Sequence, residues 1–277
     1  MKPPYKRDEK ILFTDMDGTL LREDKSVSPH TYRILQQWTA AGNLLVLCTG
    51  RAMESILATK KQLKLDFPGV YLIGCNGGEI YDCGLERMIL KKGLSMDIVS
   101  AVMARSEELG LYCQTYTDTH ILSPGDCPQL AYYRQYILTP VIITREYHKY
   151  LTEAPGKCLA IELEYPQKLE QLARTLKEEW GKKILTLYSN PWYLEIIPGD
   201  SGKGNALIWL CRHLGIPLSR SLAAGDEVND ISMLQAAGLG IAMANARESV
   251  KAAADMVTKK DHQNDGLAEI LQSALHN

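Results

Sequence analysis

Short apolar runs alternate with segments of helical periodicity in the first 83 residues of the chain. Three of these runs predict strands, at Ile11–Thr14, Leu44–Cys48 and Val70–Ile73. Two segments between them, 29–41 and 52–65, have apolar residues at helical spacing and predict helices. Uninterrupted apolar runs are typical of strands that are buried on both faces of a parallel sheet. The β-α-β-α-β order therefore predicts a doubly wound, Rossmann-like α/β fold.

The same alternation returns in the last third of the chain. The predicted strands there are Ser221–Ala224, Gly240–Met243 and Met256–Thr258. The predicted helices are Lys203–Leu214, Ile231–Ala237, Val250–Ala254 and Leu267–Leu275. We therefore expect the two ends of the chain to build one parallel-sheet core.

The middle of the chain does not follow this alternation. From about Gly84 to about Tyr188 the periodicity is mixed, and seven of the fourteen tyrosines lie between Tyr112 and Tyr150. Insertions are tolerated at surface loops whose ends lie close together. We therefore predict an inserted α+β cap domain at 84–188, between core segments at 1–83 and 189–277.

Composition excludes several classes of protein. With 45% hydrophobic and 23% charged residues, the 277-residue chain has the composition of an ordinary folded protein of about two domains. A net charge of −2 disfavours nucleic-acid binding, and no apolar stretch approaches the ~18 residues of a membrane span. The N-terminus has no hydrophobic signal region, and the seven cysteines form no C-x-x-C pair. We therefore expect a cytoplasmic protein without a zinc site or a disulfide framework.

Two aspartates follow the first predicted strand, in the motif Asp15-Met16-Asp17-Gly18. If the extended backbone continues through Asp17, its side chain projects to the same side of the strand as that of Asp15. The two carboxylates would then meet at the carboxyl end of a strand, where open α/β sheets bind ligands. Like charges at that distance require a cation, or a proton on one of them. An acidic turn without a ligand is the alternative interpretation.

Two further motifs point to phosphate binding. Thr49 and Gly50 lie between the second predicted strand and the next helix, where a hydroxyl and free backbone N–H groups form a seat for phosphate. Lys203 begins another predicted helix, where a lysine is unfavourable to the helix dipole unless it meets an anion. The P-loop pattern is not matched, because Ile197 and Gly204 stand where it needs a glycine and a Ser or Thr. A capping threonine and a solvated lysine, neither with a ligand, are the alternatives.

The fourth motif is Gly225-Asp226-Glu227-Val228-Asn229-Asp230, after a predicted strand. Mg²⁺ prefers octahedral oxygen coordination and is usually held by one or two carboxylates, waters and a substrate phosphate. Asp226 stands at the end of the strand, where it fits such a site. Asp230 also fits an ordinary helix start.

Together and in this order, the four motifs resemble those of the haloacid dehalogenase-like (HAD) superfamily of phosphotransferases. The chain also resembles the Cof-type, sugar-phosphatase-like group of that superfamily, which has a C2B cap. This further resemblance rests on Asn76-Gly77-Gly78, on Tyr193-Leu194-Glu195-Ile196 and on the tail from Gly238 to Gly266. It covers nearly all of the two core segments and the cap only loosely. Glu227 departs from the pattern, since related proteins more often have Asn there.

The resemblance implies a mechanism. Asp15 would be the nucleophile that forms an aspartyl-phosphate, and Asp17 would act as acid and then as base. Mg²⁺ would be held by the carboxylates of Asp15 and Asp226 and by the backbone carbonyl of Asp17.

The resemblance also implies further site residues. The phosphate-binding residues would be Thr49, Gly50, Lys203 and Asn229. Asp230 would orient Lys203 or a metal-bound water. The candidates for lining the substrate site are Arg51, Asn76, Gly77 and Glu195.

The predicted function is therefore Mg²⁺-dependent hydrolysis of a small phosphorylated metabolite, with the cap covering the site. A sugar phosphate is the first expectation, and a flavin or pyridoxal phosphate would suit a tyrosine-rich cap. The alternatives are a phosphomutase of the same fold, an idle binding protein on that fold, and a phospho-accepting receiver module. The receiver is disfavoured because the acceptor aspartate follows the first strand and a cap is inserted. The sequence leaves the oligomeric state open.

Overall fold

The computed structural model describes residues 9–135 and 139–276. The strands are β1 (Ile11–Asp15), β2 (Leu44–Cys48), β3 (Val70–Gly74), β4 (Glu79–Asp82), β5 (Arg87–Lys91), β6 (Tyr112–Tyr116), β7 (Ile121–Ser123), β8 (Val141–Ile143), β9 (Cys158–Ile161), β10 (Ile184–Asn190), β11 (Tyr193–Pro198), β12 (Ser221–Gly225), β13 (Leu239–Ala242) and β14 (Met256–Val257). The α-helices are α1 (Pro29–Ala40), α2 (Met53–Gln62), α3 (Met96–Glu108), α4 (Pro128–Arg134), α5 (Gln167–Trp180), α6 (Lys203–Leu214), α7 (Ile231–Ala236), α8 (Glu248–Lys251) and α9 (Gly266–His276).

The larger of two sheets contains strands from both ends of the chain, as the alternating pattern predicts. Among the described residues its order is β14-β13-β12-β1-β2-β3-β4-β5. The strands from β14 to β3 are parallel, and β4 and β5 form an antiparallel hairpin at one edge. Every residue of β1, β2 and β3 is buried, as their apolar sequences require. The predicted α/β fold is therefore confirmed.

The smaller sheet belongs to the inserted segment, with α3 and α5 packed on one face and α4 on the other. In the described part of the chain its order is β10-β11-β9-β6-β7-β8. In β9, Cys158 and Ala160 pack with residues of α3 and α5, whereas Leu159 and Ile161 point to the opposite face. This alternation follows from the two-residue repeat of a strand. The opposite face carries several tyrosines and, through Leu159, lines a cavity that it shares with loops of the larger sheet.

Sheet membership divides the chain at different points from those that the sequence pattern predicts. The predicted entry to the cap at 83/84 is the turn of the β4–β5 hairpin, where the Asp82 carboxylate accepts hydrogen bonds from the N–H groups of Gly84 and Leu85. β5 therefore stays in the larger sheet. The predicted exit at 188/189 lies near the end of β10, which pairs with β11 in the smaller sheet. Divided by sheet membership, the cap covers about 92–198.

The predicted helices and strands of the core match the structure to within three residues at each end, and the helix expected at Val250–Ala254 is shifted toward the N-terminus. α8 covers Glu248–Lys251 instead. The chain leaves this helix early because Asp255 forms two hydrogen bonds with Gly240, which align β14 beside β13. Within the described ranges, no helix is long and apolar enough to cross a membrane. All seven cysteines carry free thiols.

Candidate active site

Three of the predicted site motifs meet at the carboxyl-terminal edge of the larger sheet. Asp15 ends β1, which lies between β12 and β2. Thr49 directly follows β2, and Asp226 directly follows β12. Parallel strands end at the same edge of a sheet, so these residues come together although they lie far apart in sequence.

Lys203, from the remaining motif, lies buried between two carboxylates of this edge. It is 1% exposed, and its Nζ donates hydrogen bonds to Asp15 Oδ1 and Asp230 Oδ1, each at 2.6 Å. Burial alone would lower the pKa of this ammonium group, but the two carboxylates outweigh burial and hold its pKa above the usual value. Lys203 is therefore charged. The anion that a lysine needs at the start of α6 is supplied by the protein itself.

Residues 76 and 77 hold the loop that leads into α6. The Gly202 N–H donates a hydrogen bond to the Asn76 carbonyl oxygen at 2.8 Å. Gly77 has φ +93°, and a Cβ at this position would lie 2.3 Å from the Gly202 carbonyl oxygen. A larger residue would therefore displace this loop, and Lys203 with it.

The carboxylates of Asp15, Asp226 and Asp230 lie close enough together to share a cation. One carboxylate oxygen from each lies within 4.8 Å of the other two. Burial and the charge of Asp230 raise the pKa of Asp226 to about 7. Burial also raises the pKa of Asp15 well above its ordinary value, although Lys203 opposes this. A divalent cation would relieve the repulsion between these groups, so this donor set fits Mg²⁺.

Asp230 has less capacity to bind a cation than the other two carboxylates. Its Oδ1 accepts the hydrogen bond from the buried ammonium, and its Oδ2 accepts hydrogen bonds from the N–H groups of Asp226 and Glu227 at 3.0 and 3.1 Å. Asp226 Oδ1 accepts one hydrogen bond, from the Thr19 hydroxyl at 2.9 Å. The geometry therefore favours Asp15 and Asp226 as metal ligands, with Asp230 fixing the ammonium and the loop backbone.

The structure differs from the prediction in the backbone leading to Asp17. β1 ends at Asp15 and residue 16 forms a turn, so the extended conformation does not continue through Asp17. Asp17 forms two hydrogen bonds with the Arg51 guanidinium, at 2.7 and 3.0 Å, and an ion pair with Lys25 at 2.8 Å. Burial would raise the pKa of Asp17, but Arg51 and Lys25 outweigh burial and lower it. Asp17 is therefore ionised in this arrangement.

The loop after β2 is held by a local hydrogen bond and by a hydrogen bond from the loop that follows β3. The Arg51 N–H donates to Thr49 Oγ1 at 3.2 Å, and the Asn76 N–H donates to the Thr49 carbonyl oxygen at 3.1 Å. α2 begins only at Met53, with Ala52 as its N-cap. The interpretation of Thr49 as a helix-capping residue is therefore wrong, and Thr49 instead lines the cavity beside the sheet edge.

A cavity of about 660 Å³ lies between the sheet edge and the cap. The core residues that line it are Asp15, Asp17, Lys25, Thr49, Gly50, Arg51, Gln62, Glu227 and Asn229. The cap residues that line it are Tyr132, Tyr133, Gln135, Lys157, Leu159, Ser189, Tyr193 and Glu195. The Tyr193 ring packs against Tyr133 and Tyr132, with ring centroids 5.8 and 6.1 Å apart. The cavity therefore has a charged floor and an aromatic wall.

Comparison with known proteins identifies the family. The sequence profile of the haloacid dehalogenase-like hydrolases matches residues 12–271. The chain belongs to this family. The resemblance that the four motifs indicate is therefore confirmed.

Two relatives and one solved structure illustrate how far the similarity to other HAD-like proteins extends. The chain is 29% identical over 292 residues to YwtE of Bacillus subtilis strain 168, a 5-amino-6-(5-phospho-D-ribitylamino)uracil phosphatase, covering 96% of this chain and 98% of YwtE. It is 26% identical over 267 residues to YcsE of the same organism, which has the same named activity, covering 96% and 95%. A haloacid dehalogenase-like hydrolase from Bacteroides thetaiotaomicron has a TM-score of 0.85 and 28% identity, covering 96% and 100%. The chain is a phosphatase of this family.

The structure separates the predicted site residues of this HAD-like phosphatase into two groups. Those that line the cavity are Asp15, Asp17, Thr49, Gly50, Arg51, Glu195 and Asn229. Within the described residues, those outside the lining are Asn76, Gly77, Lys203, Asp226 and Asp230.

Sequence reasoning missed two cations of the cavity, Lys25 and Lys157. Lys25 lies in a surface turn, and nothing in its sequence context points to Asp17. Lys157 lies two residues before Leu159, so the two side chains project to the same face of the smaller sheet. This spacing points to the site only when the tertiary structure shows which face of that sheet is turned toward the cavity. In the described part of the chain, the polar cap residues His120, Arg134, Arg145 and His148 do not line the cavity.

Proposed function

We propose that this HAD-like phosphatase is a Mg²⁺-dependent phosphohydrolase that acts on a small phosphorylated metabolite through an aspartyl-phosphate on Asp15. The position of Asp15 carries this proposal. Its Oδ1 accepts a hydrogen bond from Lys203 at 2.6 Å, Asp226 lies beside it, and it lines the cavity between core and cap. A nucleophile held in this way needs little reorganisation before it attacks phosphorus.

The two aspartates suit the two steps of a double displacement. In the first step, a carboxylate oxygen of Asp15 would attack phosphorus while the bond to the leaving oxygen breaks. In the second, water would attack the same phosphorus and release phosphate and the free carboxylate. Asp17 would protonate the leaving oxygen first and then accept a proton from the water. Paired with Arg51, Asp17 is ionised, which is the form that accepts a proton in the second step. The first step needs a protonated Asp17, which requires Asp17 to leave that pair.

The proposed phosphate contacts come from three loops. Thr49 and Gly50 offer a hydroxyl and a backbone N–H on the cavity floor. Asn229 lines the same floor, and its Nδ2 donates to Asn76 Oδ1 at 3.0 Å, which fixes its amide. Lys203 would add positive charge directly behind Asp15.

The carboxylates of Asp15 and Asp226 and the Asp17 carbonyl would hold Mg²⁺. Bound there, the ion would neutralise part of the charge on the phosphoryl oxygens. The buried and mutually repelling carboxylates support this assignment, because Lys203 alone does not return the pKa of Asp15 to its ordinary value.

The raised pKa of Asp226 predicts how Mg²⁺ binding depends on pH. With a pKa of about 7, Asp226 is mostly ionised at pH 8 and mostly protonated at pH 6, and only the ionised form is a good ligand. We therefore expect Mg²⁺ to raise the melting temperature of EDTA-treated protein more at pH 8 than at pH 6. The Asp226→Asn variant should show little Mg²⁺ stabilisation at either pH. Equal stabilisation of the wild type at both pH values would contradict this ligand assignment.

For the substrate we propose a phosphorylated sugar or polyol that carries a planar ring. The tyrosine wall offers ring faces to a planar group, and a cavity of about 660 Å³ has room for one beyond the phosphate. The named activity of YwtE and YcsE fits this class, since their substrate joins a phosphorylated ribityl chain to uracil.

Phosphate release from a panel of metabolites tests this proposal. The panel contains simple sugar phosphates, a ribityl phosphate bearing a pyrimidine, flavin mononucleotide and pyridoxal phosphate, each with Mg²⁺ and with EDTA. We expect Mg²⁺-dependent phosphate release, with the highest kcat/KM for a polyol phosphate that carries a planar ring. A preference for the simple sugar phosphates, which carry no planar ring, would contradict the proposed substrate class. Isomerised sugar phosphate without net phosphate release would identify a phosphomutase instead.

A further inference from the structure

We infer that Lys157 and Glu195 are positioning residues through which the cap sets the geometry of the loop 49–51. The inference rests on the proposed function of that loop in binding phosphate. Both residues belong to the cap by sheet membership, and both form hydrogen bonds to the core. The established family and the proposed reaction assign them no such role.

The side chain of Lys157, the residue directly before β9, extends to the core. Its side chain is 4% exposed, and its Nζ donates hydrogen bonds to the Gly50 carbonyl oxygen at 2.8 Å and to Glu195 Oε2 at 3.1 Å. The same ammonium group lies 5.3 Å from the centre of the Tyr116 ring, which adds a favourable contact on the cap side. Lys157 is in phase with Leu159 along the strand, so both side chains point toward the cavity.

Glu195 extends this contact to a second loop of the core. Its Oε2 accepts a hydrogen bond from Asn76 Nδ2 at 3.0 Å. Asn76 Oδ1 in turn accepts a hydrogen bond from Asn229 Nδ2 at 3.0 Å. One ion pair of the cap is therefore linked to two of the three loops that carry proposed phosphate contacts, directly at Gly50 and through Asn76 at Asn229.

The contact at Gly50 has a direct route to the phosphate-binding hydroxyl. The Gly50 carbonyl and the Arg51 N–H belong to one peptide plane, so Lys157 fixes the direction of both. That N–H donates to Thr49 Oγ1 at 3.2 Å and therefore restricts the Thr49 hydroxyl. A Cβ at Gly50 would lie 2.9 Å from Asn76 Nδ2 and 3.2 Å from Glu195 Oε1, which shows how closely the pair packs on the loop.

The chemistry of the pair favours positioning over simple stabilisation of the cap. The side chains of Lys157 and Glu195 are 4% and 5% exposed, and taking two charges out of water is unfavourable. An apolar pair of similar size would stabilise the sheet equally well. It would not donate to the Gly50 carbonyl or accept from Asn76, and these contacts are what the ion pair adds.

The test compares variants of the full chain with Mg²⁺ and p-nitrophenyl phosphate. The double variant Lys157→Met/Glu195→Gln removes both charges together, so no unpaired charge stays buried. We expect its kcat and kcat/KM to fall together by about 10- to 100-fold, because a misplaced Thr49 weakens transition-state binding. Lys168→Met is the matched control on the outer surface of the cap, where its Nζ lies 5.9 Å from the exposed Tyr165 ring. We expect its kcat to equal that of the wild type.

Thr49→Val shows whether the pair acts through the loop. If it does, adding Lys157→Met/Glu195→Gln to Thr49→Val should lower kcat/KM by less than about threefold further. Effects that multiply would overturn the inference, and so would a wild-type kcat in the double variant. A raised KM at unchanged kcat would also overturn it, because that result assigns Lys157 to binding the leaving group.

Failure of the proposed function gives a different result. If the wild type releases no phosphate from p-nitrophenyl phosphate or from any metabolite of the panel, the proposed function is wrong. The pair is then judged by hydrogen exchange of the Arg51 amide. We expect faster exchange in Lys157→Met/Glu195→Gln than in the wild type and Lys168→Met, and unchanged exchange would overturn the inference.

Discussion

Replacement of Asp15 by asparagine is expected to lower phosphate release by roughly 10⁴-fold or more, to the level of the buffer blank. An amide does not form the acyl-phosphate that the proposed reaction needs. The same variant should melt at or above the wild-type temperature in EDTA. Burial, Asp230 and Asp226 raise the pKa of Asp15 despite Lys203, so a neutral side chain relieves a repulsion. Phosphate release and thermal unfolding of the same preparation check both results.

The matched control for this variant is Asp66→Asn. Asp66 is an exposed aspartate that pairs with Lys60 away from the cavity, so its turnover and melting temperature should stay at the wild-type values. An Asp15→Asn protein that is folded and fully active would contradict the assignment of the nucleophile. A large loss of stability in Asp15→Asn would contradict the electrostatic account of the site.

Replacement of Lys203 by methionine is expected to have the largest effect on stability. It leaves the carboxylates of Asp15 and Asp230 buried without their shared cation, at a site where the lysine is 1% exposed. Removing one partner of a buried ion pair typically destabilises a protein by about 3–5 kcal/mol. We expect a loss of that size in the free energy of unfolding, measured with urea in EDTA at neutral pH. Turnover should be lost as well, because the charge behind Asp15 is gone.

Two further variants show whether this loss is electrostatic. Lys251→Met removes a lysine whose partner Glu248 is 90% exposed, and we expect a change within about 0.5 kcal/mol. Asp230→Asn in the Lys203→Met background removes one of the orphaned charges and should recover part of the stability. If the Lys203→Met protein is as stable as the wild type, the buried network around Asp15 is not what holds these loops.

The prediction of the core depended on features that local sequence encodes. Leu44–Cys48 is apolar throughout because β2 is buried on both faces, and such a run predicts a strand wherever it occurs. Gly84 shows the limit of this reasoning. A glycine two residues after an aspartate is typical of a turn, but the same turn serves a hairpin or a domain boundary. Only the pairing of β4 with β5 distinguishes the two.

Among the site residues, those at strand ends were predictable and those that act across the cap were not. Asp15, Thr49 and Asp226 each follow a recognisable strand, and the ends of parallel strands meet. For Asp17, the sequence predicted the residue and not its partners. Its ion pairs with Arg51 and Lys25 depend on the turn at residue 16, because of which the strand ends at Asp15.

The alternation of apolar runs and helical segments therefore specifies the fold class, because hydrophobic periodicity is a local property. The residues at the ends of these runs specify the acidic groups suited to a cation and, through the family resemblance, the nucleophile candidate. The sequence does not specify the charged contacts between distant segments. Lys157 beside Gly50 and Glu195 beside Asn76 depend on how the cap sheet lies over the edge of the core. That arrangement comes from the packing of two layers whose sequence patterns are independent, so it becomes visible only when both layers are in place.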